Sequence, residues 1–166
     1  MQNRLFLVIA TTLAFAGCAK KQTFVAGTRI PYSNPNKAVL DACEEYRLAV
    51  ERADADALML MAHPQYWEDS GTPSGSDDYG YAGLRNVLLT RLPKATDIRY
   101  SLRYVGVHQQ CTGDLKKGCR AAVDILIDAS FTVTNAFGKP ARPDKRDQNQ
   151  LVLEWDGRRW MFLSGM

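Results

Sequence analysis

Tyr46, Trp67, Asp69, Tyr100, Tyr104 and His108 are the side chains of this sequence whose types could combine in a buried site. A carboxylate or an imidazole beside phenols in an apolar pocket can move a proton. Without a positioned base, the same groups would be the few polar points of an apolar ligand pocket. No two of them are locked together by local spacing, so the residues alone leave both chemistries open. Buried tyrosines also serve as ordinary core with the hydroxyl bonded at its rim. His63 precedes Pro64 at a helix end, where capping or solvent exposure is the simpler role.

Other chemistries have weaker support. With two histidines and no metal spacing, zinc is not expected, and no cofactor is implied. Glu68, Asp69, Asp77 and Asp78 share a glycine-rich stretch and could offer oxygen ligands to calcium, but their spacing is not that of an EF-hand loop. Cys43 lies on an apolar helix face without an identifiable base and reads as a buried, inert thiol. Cys111 and Cys119 bracket a short segment with two glycines between two strand patterns; a disulfide across it would be worth about 2.5 kcal/mol in the chain-entropy model. The formal charge is +3, with both signs scattered, which gives no nucleic-acid footprint.

The elements that must position these residues are legible in part. From Ala121 to Thr134, Val123, Ile125, Ile127, Ala129, Phe131 and Val133 fall on one parity and mostly polar residues on the other, which predicts a long central strand. Its expected partners lie within 98–109 and 149–163. Ile98, Tyr100, Leu102 and Tyr104 share an inner face, and His108 shares it if no bulge intervenes. Asn34 looks like the N-cap, and Pro35 the first residue, of a helix reaching about Ala53, with Val39, Cys43, Tyr46 and Val50 inward. Asp54 can cap a second helix, Ala55 to Ala62. After a turn-rich loop, Ser76-Asp77-Asp78 can cap a third, from Tyr81 to Leu92, stopped by Pro93. Residues 135–147, with Lys139, Arg142, Lys145 and Arg146, read as a basic hairpin loop whose function would be solvation. Strands follow at 148–155 and 158–163 around Asp156-Gly157.

Arg4, the apolar run from Leu5 to Phe15, and Ala16-Gly17-Cys18 form a signal-peptide pattern too short to span a bilayer. Phe15-Ala16-Gly17-Cys18 resembles the bacterial lipobox, which implies lipidation at Cys18 after removal of residues 1–17. The expected partner of this end is therefore a membrane, through lipid. Ala19 replaces the Asp of inner-membrane retention, so the expected place is the outer membrane, facing the periplasm. Residues 18–33 read as a tether, and 34–166 as one domain. Export favours the disulfide.

The order helix, helix, loop, helix and long antiparallel strands resembles the NTF2-like (SnoaL-like) fold. Its local marks are Tyr46-Arg47-Leu48-Ala49-Val50 with Asp54-Ala55-Asp56-Ala57-Leu58, Gly83-Leu84-Arg85-Asn86-Val87, and Trp155-Asp156-Gly157-Arg158-Arg159-Trp160. The resemblance implies an α+β cone, three N-terminal helices packed on a curved antiparallel sheet of about four strands, with a pocket at its open end. It is compatible with three functions: a non-catalytic domain binding a small apolar ligand or an envelope protein, an isomerase, dehydratase or hydrolase with Asp69 or His108 as base, or a homodimer formed through the outer sheet face.

Overall fold

The computed structural model describes residues 22–71, 73–111 and 113–166. The expected signal peptide and Cys18 lie outside the described residues. The first helix, α1 (Asn34–Glu51), begins one residue earlier than expected because Ser33 is its cap, the hydroxyl accepting from the Asn36 amide at 3.1 Å. Val39, Leu40, Cys43, Tyr46 and Ala49 form its buried face. Asp54 caps α2 (Ala55–Met61) as expected, accepting from the Ala57 amide at 2.9 Å.

A two-stranded ribbon, β1 (Trp67–Glu68) with β2 (Tyr79–Gly80), closes the following loop and feeds α3 (Tyr81–Thr90). The Ser76-Asp77-Asp78 cap does not form: Gly80 holds the N-cap position without a side-chain hydrogen bond, since pairing with Trp67 carries the chain up to the helix. Pro93 falls inside a short 3₁₀ turn, Leu92–Lys94.

The sheet is antiparallel, in the order β3 (Thr96–Gln109), β4 (Arg120–Thr134), β6 (Asp144–Trp155) and β7 (Trp160–Ser164), with the short β5 (Pro140–Ala141) also on β4. The central strand is as long as its alternation predicted. Val123 and Ile125 from β4, Leu151 and Leu153 from β6 and Phe162 from β7 pack against the inner face of α1, all at 1 % exposure or less. Burying a side chain such as Phe162 contributes about 1.5–3 kcal/mol.

Three sequence expectations change here. The basic stretch is partly sheet: Asn135 closes a tight turn by accepting from the Phe137 and Lys139 amides, Pro140-Ala141 pairs back on β4, and β6 begins at Asp144. The charged half of β6 is an edge, since β7 covers only its far end, and charge is a common protection of edges. The expected tether also contributes to the core. Val25 and Ile30 are buried at 9 % and 4 % exposure in a small hairpin closed by the Val25 amide and the Ile30 carbonyl. Finally, β3 carries a bulge between Tyr104 and Gly106, which reverses the parity beyond it. Cys111 and Cys119 form the expected disulfide, and the buried Cys43 thiol is pushed up out of reach of ionisation by desolvation.

Candidate functional site

A cavity of about 880 Å³ opens between α3 with its 3₁₀ extension, the inner face of the sheet, α1, and the final Gly165-Met166. The alternation read from the sequence builds its wall. Ile127, Ala129, Phe131 and Val133 of β4 point inward together, with Ile98 and Tyr100 beside them on β3; Val50 of α1 and Val87, Leu88 and Leu92 close the other side. The size lies within the range of small-molecule sites.

Tyr46 and Tyr100 meet at the inner end. Their hydroxyls are 3.2 Å apart, with either able to donate, and their rings cross edge to face with centroids 6.0 Å apart. Phe162 supports Tyr46 from behind, at 5.3 Å between centroids. Tyr100 is held by its backbone as well. Because β3 is an edge strand, the Tyr100 amide and carbonyl face α1, where the amide donates to Glu51 Oε1 at 3.0 Å and the carbonyl accepts from Arg47 Nη1 at 3.3 Å. That amide, followed by Arg47, holds the Glu51 carboxyl below its ordinary range. Burial pushes both phenols up, Tyr46 the further, and each is therefore kept as a neutral hydroxyl.

The sequence-predicted group is otherwise dispersed. Tyr104 points to α1 and donates to Glu44 Oε1 at 2.6 Å, so it does not line the cavity. Trp67 is 56 % exposed and covers Gly80. Asp69 is an exposed turn residue whose carboxylate accepts from the Gly71 amide. The bulge puts His108 outside the cavity, where its Nε2 lies 2.7 Å from Asp124 Oδ2 and Gln150 donates to Oδ1 at 2.8 Å. Those two hydrogen bonds hold Asp124 below its ordinary range. His63 sits beside Glu154, 3.8 Å away, rather than in the cavity.

Sequence reasoning missed the polar rim. Lys145, Asp147 and Asn149 share the inward parity of Leu151 and Leu153, and pair in register with Ala129, Ile127 and Ile125. The signal was that parity, continued backward from the apolar end of the strand. Lys145 Nζ is 3.2 Å from Asp147 Oδ2, and the Asp147 charge reaches Tyr100 strongly enough to disfavour its ionisation. Asn149 Nδ2 donates to the Gly165 carbonyl at 3.1 Å. The C-terminal wall is fastened from beneath: Glu68 Oε2 accepts from the Tyr66 hydroxyl and from the Gly165 amide, while the Met166 amide donates to that hydroxyl.

Among the described residues, no group of three or more His, Cys, Asp or Glu side chains could hold a metal ion, and no helix is long and apolar enough to cross a membrane.

No protein-family model matches the chain, and no curated protein matches it in sequence. Solved structures match by shape. A conserved protein from Planctomyces limnophilus superposes with a TM-score of 0.60 at 11 % identity, over 78 % of this chain and 91 % of that one. A ketosteroid isomerase-like protein from Erwinia carotovora atroseptica gives 0.58 at 19 % identity, over 80 % and 94 %. An NTF2-like protein from Cytophaga hutchinsonii gives 0.56 at 15 % identity, over 80 % and 95 %. The chain has the NTF2-like α+β fold, with three helices against an open, largely antiparallel sheet. At these identities the likeness concerns the fold, and the reaction chemistry of a relative does not follow from it.

Proposed function

We propose that this protein is a lipid-anchored envelope protein whose NTF2-like domain binds a small, largely apolar ligand in the cavity and releases it unchanged. The observation that carries this reading is an apolar chamber of about 880 Å³ whose deepest polar feature is a mutually hydrogen-bonded phenol pair. Two neutral hydroxyls can orient a ligand carbonyl or hydroxyl, but a proton-transfer enzyme also needs a base within about 3 Å of the reacting atom. Asp69 and His108, the sequence candidates for that base, lie outside the chamber. Asp147 is at its rim, 48 % exposed in its side chain and paired with Lys145. The anchor is supported by the Phe15-Ala16-Gly17-Cys18 pattern behind an apolar run, and the outer membrane as its place by Ala19, which stands where inner-membrane retention has Asp.

Native mass spectrometry of the exported Cys18→Ser protein tests the binding. A reproducible extra mass, lost on denaturation and absent from Ile127→Trp, is expected, because a bulky ring at Ile127 would project into the chamber and obstruct it. A bare mass for both proteins would overturn the binding reading. Lipidation is tested separately by metabolic labelling with a radioactive fatty acid, which should label the native chain and leave Cys18→Ser unlabelled.

One observation favours a second reading. Asp147 and Tyr100 lie on the same inner face of the sheet, where the charge of one acts on the other, so a substrate lying over that face would meet a carboxylate and a phenol. Recovery of the bound molecule in a chemically altered form, dependent on Asp147, would favour that enzyme.

A further inference from the structure

The cavity is apolar inside and positively charged at its mouth. Arg91 and Lys94 stand there, on the short segment that joins α3 to β3, and both are exposed. Neither has an ion-pair partner among the described residues. Lys145 adds a third positive charge from the opposite wall, but Asp147, the one acidic side chain among the lining residues, lies 3.2 Å from it and cancels it locally. Asp97 follows on β3, and its carboxylate is engaged by the Thr132 hydroxyl at 3.4 Å. The carbonyl end of α3 contributes about half a negative charge, which two full cations outweigh. Burial and the Glu68 charge push the Tyr79 phenol up, and the Arg91 guanidinium opposes them only in part.

We infer that the ligand is an amphipathic anion: an apolar body occupies the chamber, and a carboxylate head remains at the mouth between Arg91 and Lys94. This inference rests on the cavity-binding reading and specifies it. Burial of the apolar body supplies most of the affinity. The head cannot be buried without a large desolvation cost, and at the mouth it keeps water on one side. There the planar Arg fork can take both carboxylate oxygens while Lys adds a point charge. A neutral ligand of the same body gains nothing from these two side chains, and a cationic one is repelled by them.

Isothermal titration of the full exported Cys18→Ser protein with dodecanoate and with dodecanol, which share a chain and differ in head, separates the alternatives. At low salt, dodecanoate should bind roughly tenfold more tightly than dodecanol, the effect of two partly exposed charge contacts. That ratio should shrink in high salt as the charges are screened. It should fall to about one in the double variant Arg91→Gln/Lys94→Gln. Equal affinities for the two heads in the unsubstituted protein, or a preference that survives in the double variant, would overturn the anionic head while leaving the binding chamber in place. No binding of either compound would overturn the chamber itself.

Discussion

The hydroxyls of Tyr46 and Tyr100 lie 3.2 Å apart, the first carried by a helix and the second by the free edge of the sheet. The pair ties α1 to β3 at the inner end of the cavity, but its members are not equivalent. Both line the cavity, but Tyr46 is 4 % exposed and no other hydroxyl partner satisfies it among the described residues, whereas Tyr100 is less deeply buried. Tyr100→Phe should therefore cost about 1–3 kcal/mol by leaving a buried hydroxyl unpaired. Tyr46→Phe should cost only about 0.5–1.5 kcal/mol, because water in the cavity can take its place at Tyr100. Urea midpoints of the two variants measure the difference. Equal losses would mean that Tyr46 finds another partner.

The same burial predicts an alkaline limit to stability. Tyr46, Tyr66, Tyr100 and Tyr104 are all pushed above the ordinary value of 10.0, chiefly by desolvation. A folded-state value raised above the unfolded one means the neutral form is favoured in the fold. The contribution is complete below about pH 10 and is lost as pH rises beyond it. The melting temperature should hold up to about that point and then fall steeply. In a spectrophotometric titration, part of the phenolate absorbance should appear only in step with the loss of near-ultraviolet dichroism. Full phenolate absorbance in a still-folded protein would show these hydroxyls to be accessible to base.

Helix faces and the central strand were readable because periodicity is a local property: Val39, Cys43 and Tyr46 recur at helical spacing, and Val123 to Val133 alternate. The cavity rim was not, for equally physical reasons. Asp147 is a charge on an inward strand position, and charge normally marks a loop. The parity of Leu151 and Leu153, continued backward, would have pointed it inward, and its register opposite Ile127 shows that it does. His108 is displaced by one bulge residue, and such a shift moves every later side chain to the opposite face. Val25 and Ile30 looked isolated because the surface they cover comes from elements distant in sequence.

The Cys111–Cys119 bridge closes a short loop next to the start of β4, where Cys119 is buried at 4 % exposure. Its loss in Cys111→Ser/Cys119→Ser should cost about 2.5 kcal/mol, mostly by freeing the unfolded chain. A lower denaturant midpoint, with a slope no smaller and slightly steeper as the unfolded chain expands, checks this, and a reducing agent should reproduce the shift in the native protein. Since the bridge is remote from the lining residues, ligand affinity under native conditions should be retained. A matching fall in affinity would mean that this loop shapes the cavity after all.

Gly165 is the most demanding backbone position in the cavity wall. Its φ of +88° disfavours any side chain, and a Cβ there would lie 2.3 Å from the Gln150 carbonyl oxygen, which belongs to a strand and cannot step aside. Gly165→Ala should cost about 2–4 kcal/mol, from the left-handed conformation and the forced displacement together. Because Gly165 also donates to Glu68 and accepts from Asn149, the displacement should carry Met166 out of the cavity wall and weaken ligand binding. Glu68 gives an independent handle on the same wall. Glu68→Gln keeps an oxygen for the Tyr66 hydroxyl and the Gly165 amide and should cost less than about 1 kcal/mol, whereas Glu68→Ala leaves both donors unpaired and should cost about 1–3 kcal/mol. Denaturant midpoints rank the variants, and ligand titration shows whether affinity follows. If Glu68→Ala and Glu68→Gln were equally stable, the fastening of the C-terminal wall would have to come from packing instead of these hydrogen bonds.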